Sequence, residues 1–311
     1  MAMRVVIFTG GVGGAKLVLG LYQALDPQML TVVVNTGDDF WHYGLRICPD
    51  IDTTLYTLSG RVNRQFGWGV ADDTRNMLAA MSSLGEETWF GLGDRDLATH
   101  LLRLKALREG QSLTQIVRDL TRRMGVQCDV LPMCDQFVET KVHTHEHGVL
   151  DFQEYFVKHR WQPAASCIEY SGSASASVSS AVAEAVQKAD ALIIAPSNPW
   201  LSVEPILQVP GMRELIRGRR VPRIAVSPIA GGKAFKGPTA KLMGELGLEV
   251  SSRAVARYYA DLMNGFIYDE TDGITEVEGL RVTAMQTWME TDADKKRLAL
   301  QVLHWAESFA L

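Results

Sequence analysis

The chain has 311 residues, 47% of them hydrophobic and 22% charged, with a net charge of −5 and a pI near 5.8. Such a chain can bury a large α/β core, and its mild acidity excludes a broad basic face for nucleic acid or anionic membrane. Cys48, Cys128, Cys134 and Cys167 form no CxxC pair, and no run reaches the ~20 apolar residues of a spanning helix.

A disulfide framework and a zinc ribbon are therefore not expected. The apolar start, Val5 to Phe8, breaks at Gly10, too soon for a signal segment. The expectation is a cytoplasmic protein with reduced thiols, no membrane contact and no nucleic-acid partner.

In chain order, RVVIF predicts a strand, Ala15 to Leu25 a helix and LTVVVN a second strand, the opening of a parallel sheet. WFGL predicts a strand before the helix ATHLLRLKAL. Residues 126–161 alternate polar and apolar with few helical signals, and predict a small β-rich insertion. SASVSSAVAEAVQKA predicts a helix opened by serines, ALIIA a strand ending in PSNP, and PRIAVSP a strand ending in IAGGKAFKGP. A further helix is expected to begin near Ala240. DADKKRLALQVLHWAESF predicts an amphipathic helix that packs on the sheet or on a partner subunit. The expected fold is α/β: one Rossmann-like domain over 1–311, a mostly parallel sheet flanked by helices. Ligands in such sheets collect at the carboxyl ends of strands, where TGGVGG, APSNP and SPIAGGK converge.

The glycine loop fits neither common phosphate template. A dinucleotide fingerprint meets Lys16 where its third glycine belongs, and a Walker loop lacks its hydroxyl because Leu17 follows Lys16. What both templates share remains: glycines admit backbone N–H groups to an anion, and a helix N-terminus adds favourable field. Lys16 adds a point charge. Asp38, Asp39, Asp50 and Asp52 follow the second strand in segments that read as loop. Carboxylates beside phosphate oxygens suit Mg2+, and one of them could accept a proton from an attacking hydroxyl. In GLGDRDLATH, Arg95 either contacts phosphate or joins Asp94 and Asp96 in a salt-bridged helix cap; His100 could supply a hydrogen bond.

His143, His145 and His147 alternate as on one strand face, but read as a solvated face rather than a zinc site. Of Trp41, Trp68 and Trp89, Trp68 between two glycines is the candidate for ligand contact, and Trp89 for the core.

Taken together, GGVGGAK, VVVNTGDD, ICPDIDTTLY, GWG, LGDRDLATH, LPMCD, FQEYFV, APSNP, VPGM and SPIAGGKAFKGP closely resemble the 2-phospho-L-lactate transferase (CofD) family of coenzyme F420 biosynthesis. The resemblance runs from about Arg4 beyond Tyr259. It implies a Rossmann-like fold, a homodimer, and transfer of a phospho-acid from a guanosine diphosphate-linked donor to the deazaflavin Fo (7,8-didemethyl-8-hydroxy-5-deazariboflavin), releasing GMP.

By that resemblance Gly10, Gly11, Val12, Gly13 and Gly14 cradle the donor's phosphates. Asp39 and Asp50 are the preferred Mg2+ ligands, with Asp38 and Asp52 as competitors. Asp52, Thr53 and Arg95 lie near the deazaflavin or the reacting diphosphate. Pro196, Ser197 and Asn198 hold the guanosine end, and the SPIAGGK loop, with Gly231 and Lys233, closes the site. Lys16, Arg95 and backbone amides stabilise charge. Asn35, Trp68, Asp94 and His100 complete the expected substrate-binding set.

Cys134, Gln136 and Ala230 depart from the residues common in relatives, and read as local tuning. Family members use phospholactyl, phosphoenolpyruvyl or phosphoglyceryl donors. No residue separates these, although TGDDFW and GLRICPD are most similar to bacterial members and lean toward phosphoenolpyruvyl. Two other classes compete. One is a nucleotide-sugar-binding metabolic regulator of a related family, disfavoured by PDIDT with LGDRDLATH. The other is an NAD(P) oxidoreductase, disfavoured by Lys16 and by Asn35 where an acid would end the second strand.

Overall fold

The computed structural model of the protein describes residues 3–234, 237–273 and 276–309. Phe235 and Lys236 of the SPIAGGKAFKGP motif lie outside the described residues.

Among the described residues the strands are β1 (Val5–Thr9), β2 (Leu30–Val34), β3 (Phe40–His42), β4 (Leu45–Ile47), β5 (Asp129–Pro132), β6 (Glu139–Thr144), β7 (Gly148–Asp151), β8 (Ala165–Ser171), β9 (Ala191–Ile194), β10 (Arg223–Val226), β11 (Ile229–Ala230), β12 (Lys233–Ala234), β13 (Gly265–Asp269) and β14 (Arg281–Met285). The helices are α1 (Gly11–Ala24), α2 (Pro49–Leu58), α3 (Asn76–Ser83), α4 (Asp94–Arg108), α5 (Leu113–Arg123), α6 (Ser180–Lys188), α7 (Glu204–Leu207), α8 (Met212–Arg217), α9 (Thr239–Glu245), α10 (Ser252–Tyr259) and α11 (Asp292–Glu307).

Seven strands form one sheet in the order β14-β13-β10-β9-β1-β2-β5, and every neighbouring pair is parallel. Every residue of β1, VVIFT, is buried, as expected of a strand covered on both faces. Its side chains divide by the strand period. Val6 and Phe8 join one core with α6, α8, α9 and α10. Val5 and Ile7 join another with α1, α2, α5 and α11. A third, smaller cluster under the β3–β4 hairpin gathers Phe40, Leu45, Ile47, Leu78 and Leu92.

The strand order runs outward in both directions from β1 and β9, so the chain reverses its direction of travel between them. That is the topological switch point where open α/β sheets bind ligands.

Several expectations are corrected. The β-rich insertion is displaced from 126–161: β5 belongs to the parallel sheet as its edge strand, and the antiparallel sheet β7-β6-β8 extends to Ser171. Alternation alone cannot distinguish an edge strand of the main sheet from a strand of a separate one. WFGL is not a strand; the segment is irregular, with Trp89 and Phe90 edge-to-face with each other and both packed against the third cluster. The three histidines do not share a face. His143 on β6 pairs with Glu169, whereas the His147 ring lies 4.5 Å from that of His159. All four cysteines are free, and among the described residues no helix is long and apolar enough to cross a membrane.

Candidate active site

The helix α1 starts at Gly11, not at Ala15, so the glycine run itself forms the first helical turn. Glycine is required there by close approach. A Cβ on Gly13 would lie 2.9 Å from the Pro196 carbonyl oxygen, and one on Gly14 2.1 Å from Thr9 Oγ1 and 2.3 Å from Ser197 Oγ. The glycine loop and the loop after β9 thus meet at the switch point with no room for a methyl group. Ser197 Oγ ties them, donating to the Gly10 carbonyl at 2.8 Å and accepting from the Gly10 amide at 3.3 Å. Asn198 accepts from the Trp200 and Leu201 amides and donates to Thr239 Oγ1. Lys16, one turn into α1, donates to the Met289 carbonyl at 2.6 Å.

Asp38 and Asp39 lie in the turn after β2. Asp50 and Asp52, read from sequence as loop residues, are in the first turn of α2. Pro49 supplies a preset φ at the helix start and the two acids face its partial positive charge.

The four carboxylates have three different settings. Asp50 accepts from the Gly11 amide at 2.8 Å and, through its other oxygen, from Asn35 Nδ2 at 3.0 Å. The same Asn35 nitrogen lies 3.0 Å from Asp38 Oδ1, and its Oδ1 accepts from Gly37. Both acids are buried, and among the described residues neither forms an ion pair with lysine or arginine. Burial raises Asp50 to about 6, while burial and then the Asp50 charge push Asp38 well above the usual carboxylate range. Asp39 instead meets the Arg46 guanidinium at 2.9 Å and accepts from the Cys48 thiol at 3.0 Å. Asp39 thus already has a cationic partner, whereas Asp38 and Asp50 meet the shared Asn35 amide.

Asp52 faces α4. Spacing on α4 puts Asp96, Thr99, His100 and Arg103 along one helical face, and Asp52 with Tyr56 along the facing side of α2. Arg103, wholly buried, donates to Asp52 Oδ1, to the Arg46 carbonyl at 3.1 Å and toward His100 Nδ1 at 3.1 Å. His100 Nε2 lies 3.3 Å from Asp96, which accepts from Tyr56 at 2.7 Å. Beside this array lies a cleft of about 520 Å³ lined by Tyr56, Arg61, Val70, Ala71, Asp72, Arg95, Ala98 and Thr99.

Arg95 lines that cleft and donates to the Ala71 carbonyl at 3.2 Å. Neither Asp94 nor Asp96 pairs with it among the described residues. Asp94 holds the preceding segment instead, accepting from the Thr74 hydroxyl and from the Asn76 and Met77 amides. The cap of α4 comes from Asp73, which accepts from the Arg95 and Asp96 amides.

Thr53 is buried on α2, next to Asp52. Trp68 is 44% exposed and stacks on Phe66, two residues before the cleft-lining Val70. Gly231 and Lys233 sit on the β11–β12 hairpin, whose Gly232 amide bonds Asp272 beyond β13. Sequence reasoning missed Thr9, whose Oγ1 is buried without a partner at the end of β1, and Tyr56, Asp96 and Arg103. Their signal was present: acid, histidine and arginine spaced i, i+4, i+7 make a polar stripe on a helix that is otherwise apolar and basic.

With this geometry in view, a family model described as 2-phospho-L-lactate transferase CofD matches residues 5–306. The chain belongs to the CofD family. A 2-phospho-L-lactate transferase from Methanosarcina mazei is 41% identical over 298 residues, covering 94% of this chain and 97% of its own. A phosphoenolpyruvate transferase from Thermobifida fusca is 40% identical over 310 residues, covering 96% of this chain and 95% of its own. Among solved structures, a UPF0052 family protein from Bacillus halodurans matches 97% of this chain and 99% of its own, with a TM-score of 0.63 and 14% identity. That likeness is one of fold. In this CofD transferase the glycine loop and the acidic turn lie at the switch point of the sheet.

Proposed function

We propose that this CofD transferase moves a phospho-acid from a guanosine diphosphate-linked donor to the terminal ribityl hydroxyl of Fo, releasing GMP, as a Mg2+-dependent homodimer in coenzyme F420 biosynthesis. The observation that carries the reading is the convergence at one switch point of the α1 N-terminus, the Pro196–Asn198 loop and the Asp38–Asp50 pair. The residues fit Mg2+. Two buried acids share one asparagine, and a diphosphate arriving at α1 would add further negative charge to a place where Asp50 already occupies the Gly11 amide. Held by Asp38 and Asp50, Mg2+ would neutralise charge that develops on the leaving phosphate.

The chain's own residues do the positioning on which phosphoryl transfer mostly depends. Amides of the α1 turn and the Ser197 loop receive the donor's phosphates and guanosine end. The cleft beside Tyr56 and Arg95 receives the acceptor, with Trp68 at its margin. The hydroxyl oxygen forms a bond to the phosphorus bearing the acid, the bond from that phosphorus to the bridging oxygen breaks, and its electron pair leaves with GMP. Asp52 Oδ2, buried and without a hydrogen-bond partner, takes the hydroxyl proton.

The test is product mass spectrometry on purified protein with Mg2+, Fo and each of the phospholactyl, phosphoenolpyruvyl and phosphoglyceryl donors in turn. A phosphodiester of Fo with equimolar GMP from one donor supports the reading and selects the acid. Relatives named for two of these acids stand at near-equal identity, so all three are arms of the experiment. Tight nucleotide binding with no product from any donor would favour a binding or regulatory protein.

A further inference from the structure

Arg103 is a fully buried guanidinium on the face that α4 turns to α2, and the other largest fully buried side chains among the described residues are apolar or aromatic. A buried arginine is costly unless its donors are met, and replacing such an ion pair by apolar packing is often neutral or stabilising. Stability alone is thus a weak reason for it. Its contacts are specific: one donor meets Asp52 Oδ1, and another is shared between the Arg46 carbonyl and His100 Nδ1.

A guanidinium carries only donors, so His100 Nδ1 is the accepting nitrogen and Nε2, 3.3 Å from Asp96 but without a hydrogen bond to it, carries the proton. The imidazole is held by a hydrogen bond at Nδ1, while Nε2 makes none among the described residues. Its Nδ1 also lies 3.6 Å from Asp52 Oδ2, close enough to limit how that carboxylate can turn. Asp52, Asp96 and His100 have the ligand types and spacing of a metal site. The Arg103 charge between Asp52 and His100 opposes a cation there, and the accepting role of Nδ1 leaves Nε2 without a lone pair for one.

We infer that Arg103 is a positioning residue for transfer. It occupies Asp52 Oδ1 and holds the His100 ring whose Nδ1 lies beside Oδ2, which together fix the carboxylate plane, so that Oδ2 is the single oxygen left to meet the acceptor hydroxyl. The inference rests on the transferase reading above. Its chemistry is that of a fork: a planar guanidinium meets a carboxylate, an imidazole and a carbonyl at once, and a lysine ammonium cannot hold that geometry.

The experiment uses Arg103→Lys, which keeps the buried charge, with His100→Leu and His100→Gln. In Arg103→Lys, melting temperature stays within a few degrees, KM for donor and for Fo stays within about twofold, and kcat falls 10- to 100-fold. His100→Leu lowers kcat at least 10-fold with the same small change in KM. His100→Gln, whose side-chain oxygen can accept from Arg103, recovers most of that loss. Three results would overturn the assignment: unchanged kcat in Arg103→Lys, a loss confined to KM, or a loss that only follows the folded fraction. Absence of product from the unsubstituted protein with every donor would instead overturn the transferase reading, and this inference with it.

Discussion

Asp50→Asn separates function from stability in a way the geometry makes quantitative. The Asp50 carboxyl is raised from its ordinary 3.8 to about 6, chiefly by burial. Its folded value lies above its unfolded one. Folding therefore carries little penalty from this group below pH 4; the penalty grows between about pH 4 and pH 6 and is constant above that. At pH 8 the metal-free protein forgoes on the order of 2–3 kcal/mol at this one carboxyl.

Asparagine removes that penalty and relieves Asp38, but it turns an amide NH2 toward the Asn35 donor now met by an Asp50 oxygen, costing about 1–2 kcal/mol. The net expectation is a gain of roughly 1 kcal/mol at pH 8, near 2 °C in melting temperature, and a loss of about 1–2 kcal/mol below pH 4.5. Turnover is abolished in the same variant. Thermal melts of both proteins across pH 4–8, without metal, measure the crossover. Mg2+ should then raise the melting temperature of the parent protein and not of the variant. Equal destabilisation of Asp50→Asn at pH 4.5 and pH 8 would refute the claim that this carboxylate is held against its own desolvation.

Three other substitutions test neighbouring parts of the account. Gly14→Ala places a methyl 2.1 Å from Thr9 Oγ1 and 2.3 Å from Ser197 Oγ, and should lower kcat/KM about 100-fold while the protein stays folded by circular dichroism. Gly20→Ala gains about 1 kcal/mol of helix propensity but puts Cβ 2.1 Å from the Lys295 carbonyl oxygen of α11, so urea unfolding should show a net loss of roughly 1–2 kcal/mol. A stabilised variant would mean that α1 and α11 are not so closely packed. Asp94 is held down to about 2, first by the Thr74 hydroxyl and then by the Met77 amide, so its support of the 73–77 segment is present above pH 4 and lost toward pH 2. Asp94→Ala should speed hydrogen exchange at Asn76 and Met77 at neutral pH; unchanged exchange there would contradict the holding role.

The parallel sheet was legible because its strands are buried on both faces and read as continuous apolar runs between helices, and the loops TGGVGG, APSNP and SPIAGGK were legible as strand ends. Periodicity could not place β5, a four-residue edge strand, nor show that WFGL would pack its aromatics without pairing. The acids were found as a group but not divided. Asp38, Asp39, Asp50 and Asp52 look alike in sequence, and what separates them is distant partners: Asn35 for one pair, Arg46 for Asp39, and Arg103, 51 residues on, for Asp52. Asp94 shows a different limit. An acid in a conspicuous motif was read as a substrate contact, and the structure spends its oxygens on the chain 17 to 20 residues earlier.

The most direct test of the central claim is 31P NMR of the protein with a guanosine diphosphate-linked donor, Mg2+ and Fo. The account predicts that the paired diphosphate resonances decay together while a phosphomonoester signal from GMP and a phosphodiester signal from the product rise in equal amounts. That change requires Fo, and it is absent with Asp50→Asn. Persistence of the diphosphate resonances with every donor, broadened by binding but not consumed, would contradict it.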